Sequence, residues 1–441
     1  VMEHLRFCAD LGFNAVWVDS GGTGRWTTDG ASHGPSLSPA FLDLAAWCRE
    51  RNWRIFVAVH PLADSGNRLA FHEGEAERRI RKLIRLLRRR AGVRDFVLSF
   101  ENQPTELIEP GDVVRYGRSS APAHLDLTRR IARSVGSKVG LWLCAAAYCD
   151  AHLGDGQGDY SKPFLEGLPL LPAGIGIVWT GPSVFAPSIT AGDLTAARAR
   201  LGGRELLLRD NYPYNDDVGQ DDTLALRLGP LRRRDAALAR IVSVYMVCPM
   251  AELGASRLPL LTIADYLSDP ERYDPDASLR RAMRRLAGED PAALAAIETQ
   301  AIEWGGWIGE RNYRLRDSLN PKTVASALDD PAAVASWTWT EKRYGDRMAA
   351  LSRVEDVFFR DDVLEVMARK LAIARAIPLV VEALARSRAG RKDVAPILDA
   401  LRQQRRLASV RPGALRALDL FLGAAGFAVS DGALSFPNSP A

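Results

Sequence analysis

The run "LLLRDNYPYNDD" (206–217) carries three leucines into a dense set of polar groups: Arg209, Asp210, Asn211, Asn215, Asp216 and Asp217. Carboxylates accept hydrogen bonds and amides both donate and accept them. Together they suit the hydroxyls of a sugar. The plainer alternative is a turn held by Asx hydrogen bonds. Similar polar residues close other apolar runs. Asp19, Ser20 and Gly21 follow 14–19, and His60 ends 54–60. Glu101 and Asn102 follow 95–100, and Cys144 and Tyr148 follow 140–144. Trp179, Thr180 and Gly181 close 174–180, and Cys248 and Glu252 close 239–248. A carboxylate beside an amide at one strand end is more often a cap or turn than a site. Convergence of several such ends on one cup favours carbohydrate recognition, with an aromatic platform for the ring face.

The elements that would bring these ends together alternate along the first part of the chain. The runs at 14–19, 54–60, 95–100, 140–144, 174–180, 205–210 and 239–248 are short and mostly apolar, as parallel strands buried on both faces should be. Helix-period segments fall between them, at about 2–11, 39–51, 75–91, 124–135 and 190–201. Strand and helix repeated in this way predict a parallel α/β sheet. Seven strands preceded by a helix fit a (β/α) TIM-type barrel whose first strand is absent from this sequence. The competitor is an open doubly wound sheet. "DSGGTG" (19–24) lacks the spacing of the dinucleotide fingerprint and is a weak phosphate loop.

With 441 residues the chain exceeds one ordinary core. A barrel-type domain is expected over 1–288, an α-helical domain over 289–430 and a loosely held tail over 431–441. Helical periodicity replaces strands after about Asp290, and no histidine follows His152. A net charge of +4 gives no support for nucleic acid. The "RIRKLIRLLRRR" run (79–90) reads as an amphipathic helix with a solvated basic face. Five cysteines without a C-x-x-C pair predict neither zinc nor a disulfide framework. No apolar run reaches the roughly 18–20 residues that span a bilayer, and no signal peptide is seen. A cytoplasmic protein without cofactor or metal is therefore expected, with a helical-domain face available for homodimerisation.

The motifs "IVWTGPSV" (177–184) and "DNYPYNDD" (210–217) resemble glycoside hydrolase family 84, the O-GlcNAcase family, at the spacing that family uses. "CAAAYC" (144–149) is similar to its tyrosine-bearing turn, and 248–278 to the segment after its last barrel strand. The resemblance runs in order from about 2 to 286. It implies a (β/α) barrel followed by helices, a pocket for N-acetylglucosamine, and retaining hydrolysis in which the substrate's acetamido oxygen attacks the anomeric carbon, an exception to the two-carboxylate pattern. In the family two adjacent aspartates serve this reaction. The first orients the acetamide N–H, and the second protonates the leaving oxygen and later deprotonates water.

The resemblance places Glu101 at the first aspartate and Asn102 at the second. An amide cannot release a proton at neutral pH, and loss of a general acid costs about 10²–10⁴-fold in rate. Gly21 stands at the family's lysine, Arg209 at its tryptophan and Cys248 at its asparagine. Tyr148, Asn211 and Asp216 match the family; the last two imply contacts to the sugar. Glu101, Asn102 and Tyr148 are thus the expected catalytic positions. Arg209, Asp210, Asn211, Asp216, Trp179, Cys248, His60 and Gly21 are expected at the substrate, with His60, Tyr148 or Asp210 as replacement proton sources and Arg209 facing an anionic group. The expected function is a glycosidase-like enzyme for an N-acetylglucosamine-type or modified sugar or glycoconjugate, with altered acid–base groups. The alternatives are an inactive sugar- or partner-binding relative and a conventional β-N-acetylglucosaminidase.

Overall fold

A computed structural model of the chain describes residues 1–19, 36–61, 70–136, 138–154, 159–215, 226–304, 321–337, 341–391, 393–430 and 433–435. Two compact units account for it. The first comprises Val1–Asn211 and Arg233–Val247; the second comprises Tyr212–Arg232 and Cys248–Ala441.

In the first unit strands and helices alternate: α1 (Met2–Asp10), β1 (Ala15–Asp19), α2 (Pro39–Glu50), β2 (Arg54–Val59), α3 (Glu75–Ala91) and β3 (Asp95–Ser99). Next come α4 (Pro110–Tyr116), α5 (Ala121–Val135), β4 (Gly140–Cys144), α6 (Asp150–Leu153), α7 (Ser161–Gly167) and β5 (Ile175–Trp179). The series ends with α8 (Ala191–Arg200), β6 (Leu206–Asp210) and β7 (Val244–Val247). The seven strands are all parallel and lie in sequence order from β1 to β7. A doubly wound sheet reverses its order at a switch point. This one never does, as a (β/α) barrel requires.

The sheet also curls. Five strand spacings separate β1 from β6, so a flat sheet would hold them about 24 Å apart. Instead the guanidinium of Arg209 on β6 sits 5.6 Å from the ring centroid of Trp17 on β1. The same alternation explains why the strands read as unbroken apolar runs. Phe56, Ala58, Val97, Trp142, Cys144, Val178, Leu207 and Met246 pack together on the inner face. Their neighbours Ile55, Val57, Phe96, Leu98, Leu141, Ile177 and Leu208 pack outward with helix residues such as Leu44, Ile84 and Leu127.

Helix α3 buries Ile80, Leu83, Ile84 and Leu87, while Lys82, Arg85, Arg88, Arg89 and Arg90 stay exposed. Its first turn is acidic and its last turn basic, which complements the helix dipole. Before α4, Glu109 accepts the Asp112 N–H (2.8 Å), and Asp112 in turn accepts the Phe71 and His72 N–H groups and faces the His72 ring (2.8 Å). That cluster ties a helix start to the preceding segment, with the donor atoms already engaged.

The strand expected over 239–248 is shorter than its apolar pattern. Asp235 accepts the Ala237 N–H and starts a 3₁₀ turn, Ala236–Arg240, so pairing begins only at Val244.

The second unit is helical. It holds α9 (Arg257–Ser268), α10 (Pro275–Ala287), α11 (Pro291–Trp304), α12 (Pro321–Ser326), α13 (Pro331–Trp337) and α14 (Glu341–Leu351). The 32-residue α15 (Val357–Arg388), α16 (Ala395–Ala408) and α17 (Pro412–Ala424) follow. The boundary drawn from sequence at 288 falls inside this unit, which already takes in α9 and α10. The hairpin of β8 (Ala428–Ser430) and β9 (Ala433–Ser435) lies where only helix and tail were expected. Among the described residues no helix is long and apolar enough to cross a membrane.

Candidate active site

Catalytic groups of (β/α) barrels sit at the C-terminal strand ends. Here the inner-face parity of the strands decides which polar residues reach that mouth. On β6 the residues sharing a face with Leu207 are Arg209 and Asn211; on β1 Trp17 is followed by Asp19; beyond β3 Val97 is followed by Ser99 and Glu101.

Arg209 forks onto Glu101. Nη1 donates to Oε2 at 2.6 Å, and Nη2 donates to Oε1. The two side chains are 14% and 15% exposed, so this is a largely desolvated, bidentate pair. Arg209 was expected to meet an anion brought by the substrate; its fork is instead engaged by the protein's own carboxylate.

Tyr148 is buried in the inner cluster and lies edge-on to His152, with ring centroids 4.6 Å apart. Burial raises its hydroxyl pKa above the usual range, and the Glu101 charge adds to this. Burial lowers the pKa of His152, which the Glu101 charge partly opposes. Cys144 is pushed up to about 12, first by burial and then by Glu101. The turn bearing Tyr148 is pinned to the "WTG" turn. Thr180 N–H donates to the Tyr148 carbonyl (3.0 Å), and Asp150 N–H donates to the Gly181 carbonyl (3.0 Å). Gly181 has φ of +96°, and a Cβ there would press on Ile189 at 3.3 Å.

At the β1 and β2 ends, His60 Nε2 and Asp19 Oδ1 are 2.9 Å apart. This hydrogen bond is the main reason the Asp19 carboxyl is held below its ordinary range, and the Arg209 charge adds to it.

Asn102 is exposed, with φ of +58°. Gln103 N–H donates to the Phe100 carbonyl (3.1 Å) and closes the turn around it. Asn tolerates this left-handed conformation better than most residues, so backbone geometry alone accounts for an Asn or Asp here. Asn211 is 5% exposed. Its Nδ2 donates to the Val184 carbonyl at 2.8 Å, and its buried Oδ1 has no partner among the described residues.

Two expected substrate contacts lie on the outer face of the sheet. Asp210 is 1% exposed and takes Arg234 Nε at 2.7 Å, Arg234 Nη2 at 2.8 Å and the Tyr245 hydroxyl at 2.7 Å. Its polar capacity is spent inside the protein, one residue out of phase with Arg209. Trp179 is fully buried in the outer core. Gly21 and Asp216 lie outside the described residues. Cys248 is half-buried in the second unit. There Asn215 Nδ2 donates to Glu252 Oε2 at 3.0 Å.

Trp17 and His152 enter the site without having been singled out from sequence, while Asp19, read there only as a polar strand end, gains His60 as a partner. Asp19 shares the inner-face parity of Trp17, and His152, in the short helix after the Tyr148 turn, lies edge-on to the Tyr148 ring. Both signals need the strand register before they carry weight.

A family model described as beta-N-acetylglucosaminidase matches residues 36–300. A mutant of the Thermobaculum terrenum O-GlcNAc hydrolase is similar over 96% of this chain and 89% of its own, at 22% identity and a TM-score of 0.64. The structure named CpGH84B is similar over 94% of this chain and 71% of its own, at 18% identity and a TM-score of 0.55. At these identities the structures speak for a shared glycoside hydrolase fold. The family match extends over more than half of the sequence, and the chain belongs to the beta-N-acetylglucosaminidase family.

Proposed function

We propose that this chain is a glycosidase-fold enzyme for a β-linked N-acetylglucosamine-type sugar, with rearranged acid–base groups that slow the cleavage of unactivated substrates. The observation that carries this reading is the bidentate Glu101–Arg209 pair beside an amide at Asn102. Glu101 keeps a carboxylate where the resemblance puts the acetamide-orienting group. Each of its oxygens has a second acceptor site, so an acetamide N–H has a place beside the arginine fork. The fork holds the carboxylate in place, which suits orientation. Asn211 Oδ1 is buried without a partner, and such an atom costs about 1–3 kcal/mol until it meets a donor. A sugar hydroxyl supplies one. Asp216 takes the outer hydroxyls in this reading. The five cysteines, none of them in a disulfide, suit a reducing, cytoplasmic setting.

The second reading is a sugar-binding protein without turnover. Asn102, exposed and without an acidic proton, favours it. Calorimetric titration with an N-acetylglucosamine-derived oxazoline mimic, beside turnover of aryl N-acetylglucosaminides, separates the two. Binding with turnover supports the enzyme, and binding alone supports the second reading. Neither binding nor turnover removes N-acetylglucosamine from both.

A further inference from the structure

We infer that His60, oriented by Asp19, is the residue that moves the proton in this site. The inference rests on the enzymatic reading above. Asn102 has no acidic proton. Asp210 is sealed on the outer face by Arg234 and Tyr245. Tyr148 is buried with its hydroxyl raised away from ionisation, and His152 is wedged against the Tyr148 ring. The remaining dyad, Asp19–His60, stands at the open end of the barrel.

The geometry points the same way. β1 and β2 are neighbours with Asp19 level with Ala58, so His60, two residues on, keeps the inner-face parity of Phe56 and Ala58. Arg209 links the dyad to Glu101: its fork holds Glu101, its guanidinium lies by Trp17, and its charge is felt at Asp19. Asp19 and His60 side chains are 63% and 22% exposed. A pair so exposed contributes little to folding, so stability gives no reason for it, whereas access to a bound ligand does. The Nε2 contact to Asp19 fixes the ring and leaves Nδ1, which makes no hydrogen bond among the described residues.

The step balances as follows. As the substrate's acetamido oxygen bonds to the anomeric carbon, the glycosidic C–O bond breaks and its electron pair stays with the leaving oxygen. That oxygen takes the proton from Nδ1 of the His60 imidazolium. Neutral His60 then removes a proton from the water that adds to the anomeric carbon, while the bond from that carbon to the acetamido oxygen breaks and its electron pair returns to the acetamide. His60 is the catalytic residue; Asp19 is a positioning residue.

The test is kcat/KM for His60→Gln, Asp19→Asn and Asp19→Glu on aryl N-acetylglucosaminides ranging from a dinitrophenyl to an unsubstituted phenyl leaving group. His60→Gln should lose about 10²-fold on phenyl and under about 3-fold on dinitrophenyl, since general acid help matters most for poor leaving groups. Asp19→Asn should give a smaller loss of the same kind and displace the pH profile, in which Asp19, His60, Arg209 and Glu101 are the charged groups to consider. Asp19→Glu should recover part of it. If His60→Gln misfolds, the two Asp19 variants carry the leaving-group comparison. Loss that is equal across the series, or no loss, overturns the inference while turnover by wild type upholds the enzyme. No turnover of any member by wild type overturns both.

Discussion

Arg209, at the end of β6, closes both terminal guanidinium nitrogens on the carboxylate of Glu101 beyond β3, with Nη1 to Oε2 at 2.6 Å. The two residues are 108 apart in sequence and three strands apart in the sheet. Their contact fixes the charge at the barrel mouth. A mostly buried carboxylate with a matched fork is a positioning group.

Cutting the pair from one side should expose its cost. Arg209→Met leaves Glu101 poorly solvated beside Tyr148 and should lower stability by about 1.5–3 kcal/mol, the range for hydrogen bonds to charged groups. Glu101→Gln with Arg209→Met should restore part of that loss. Denaturant unfolding of the two single variants and the double variant gives the coupling.

Asn102→Asp would put a carboxyl where the resemblance places the acid. Aspartate also tolerates the left-handed backbone, so stability should change by less than about 0.5 kcal/mol. Turnover of poor leaving groups should rise by about 10-fold or more. Asn102→Val should instead lose about 1–3 kcal/mol from backbone strain. Steady-state rates and thermal melts decide both.

The outer-face placement of Asp210 makes an opposite forecast. Asp210→Asn strips a buried arginine of its counter-ion and should cost about 3–5 kcal/mol. The variant that remains folded should bind an N-acetylglucosamine-derived oxazoline mimic with Kd within about 3-fold of wild type, because the side chain points away from the mouth. A much larger loss of affinity would return Asp210 to the site.

His124 should set part of the acid limit of the fold. It is fully buried, stacked on Phe100 at 3.9 Å, and burial lowers its pKa to about 3. The unfolded chain therefore binds this proton at a higher pH than the folded one. Stability is present above the unfolded value near 6.5 and falls as pH drops toward the folded value. The loss is about 2 kcal/mol between pH 7 and pH 5 by linkage. His124→Phe should flatten that slope in melts taken across the range.

Much of the barrel was legible because strands buried on both faces need unbroken apolar runs, as at 54–60 and 95–100. The polar strand ends were legible for the same reason, since they interrupt those runs. Face assignment at the ends was not. Arg209, Asp210 and Asn211 are consecutive, and only the inward packing of Leu207 shows that the first and third share a face. Partnerships across the sheet were equally hidden: nothing local marks Arg209 as the counter-ion of Glu101, or Asp19 as the neighbour of His60. The 3₁₀ turn before β7 was missed because its apolar residues suit a strand and its cause is a single cap from Asp235.

The most direct measurement is kcat/KM on dinitrophenyl N-acetylglucosaminide for wild type and Glu101→Gln. The account expects measurable turnover by the wild type and a fall of about 10²-fold or more in the variant. Equal rates in the two proteins would contradict it, since Glu101 would then have no part in the reaction.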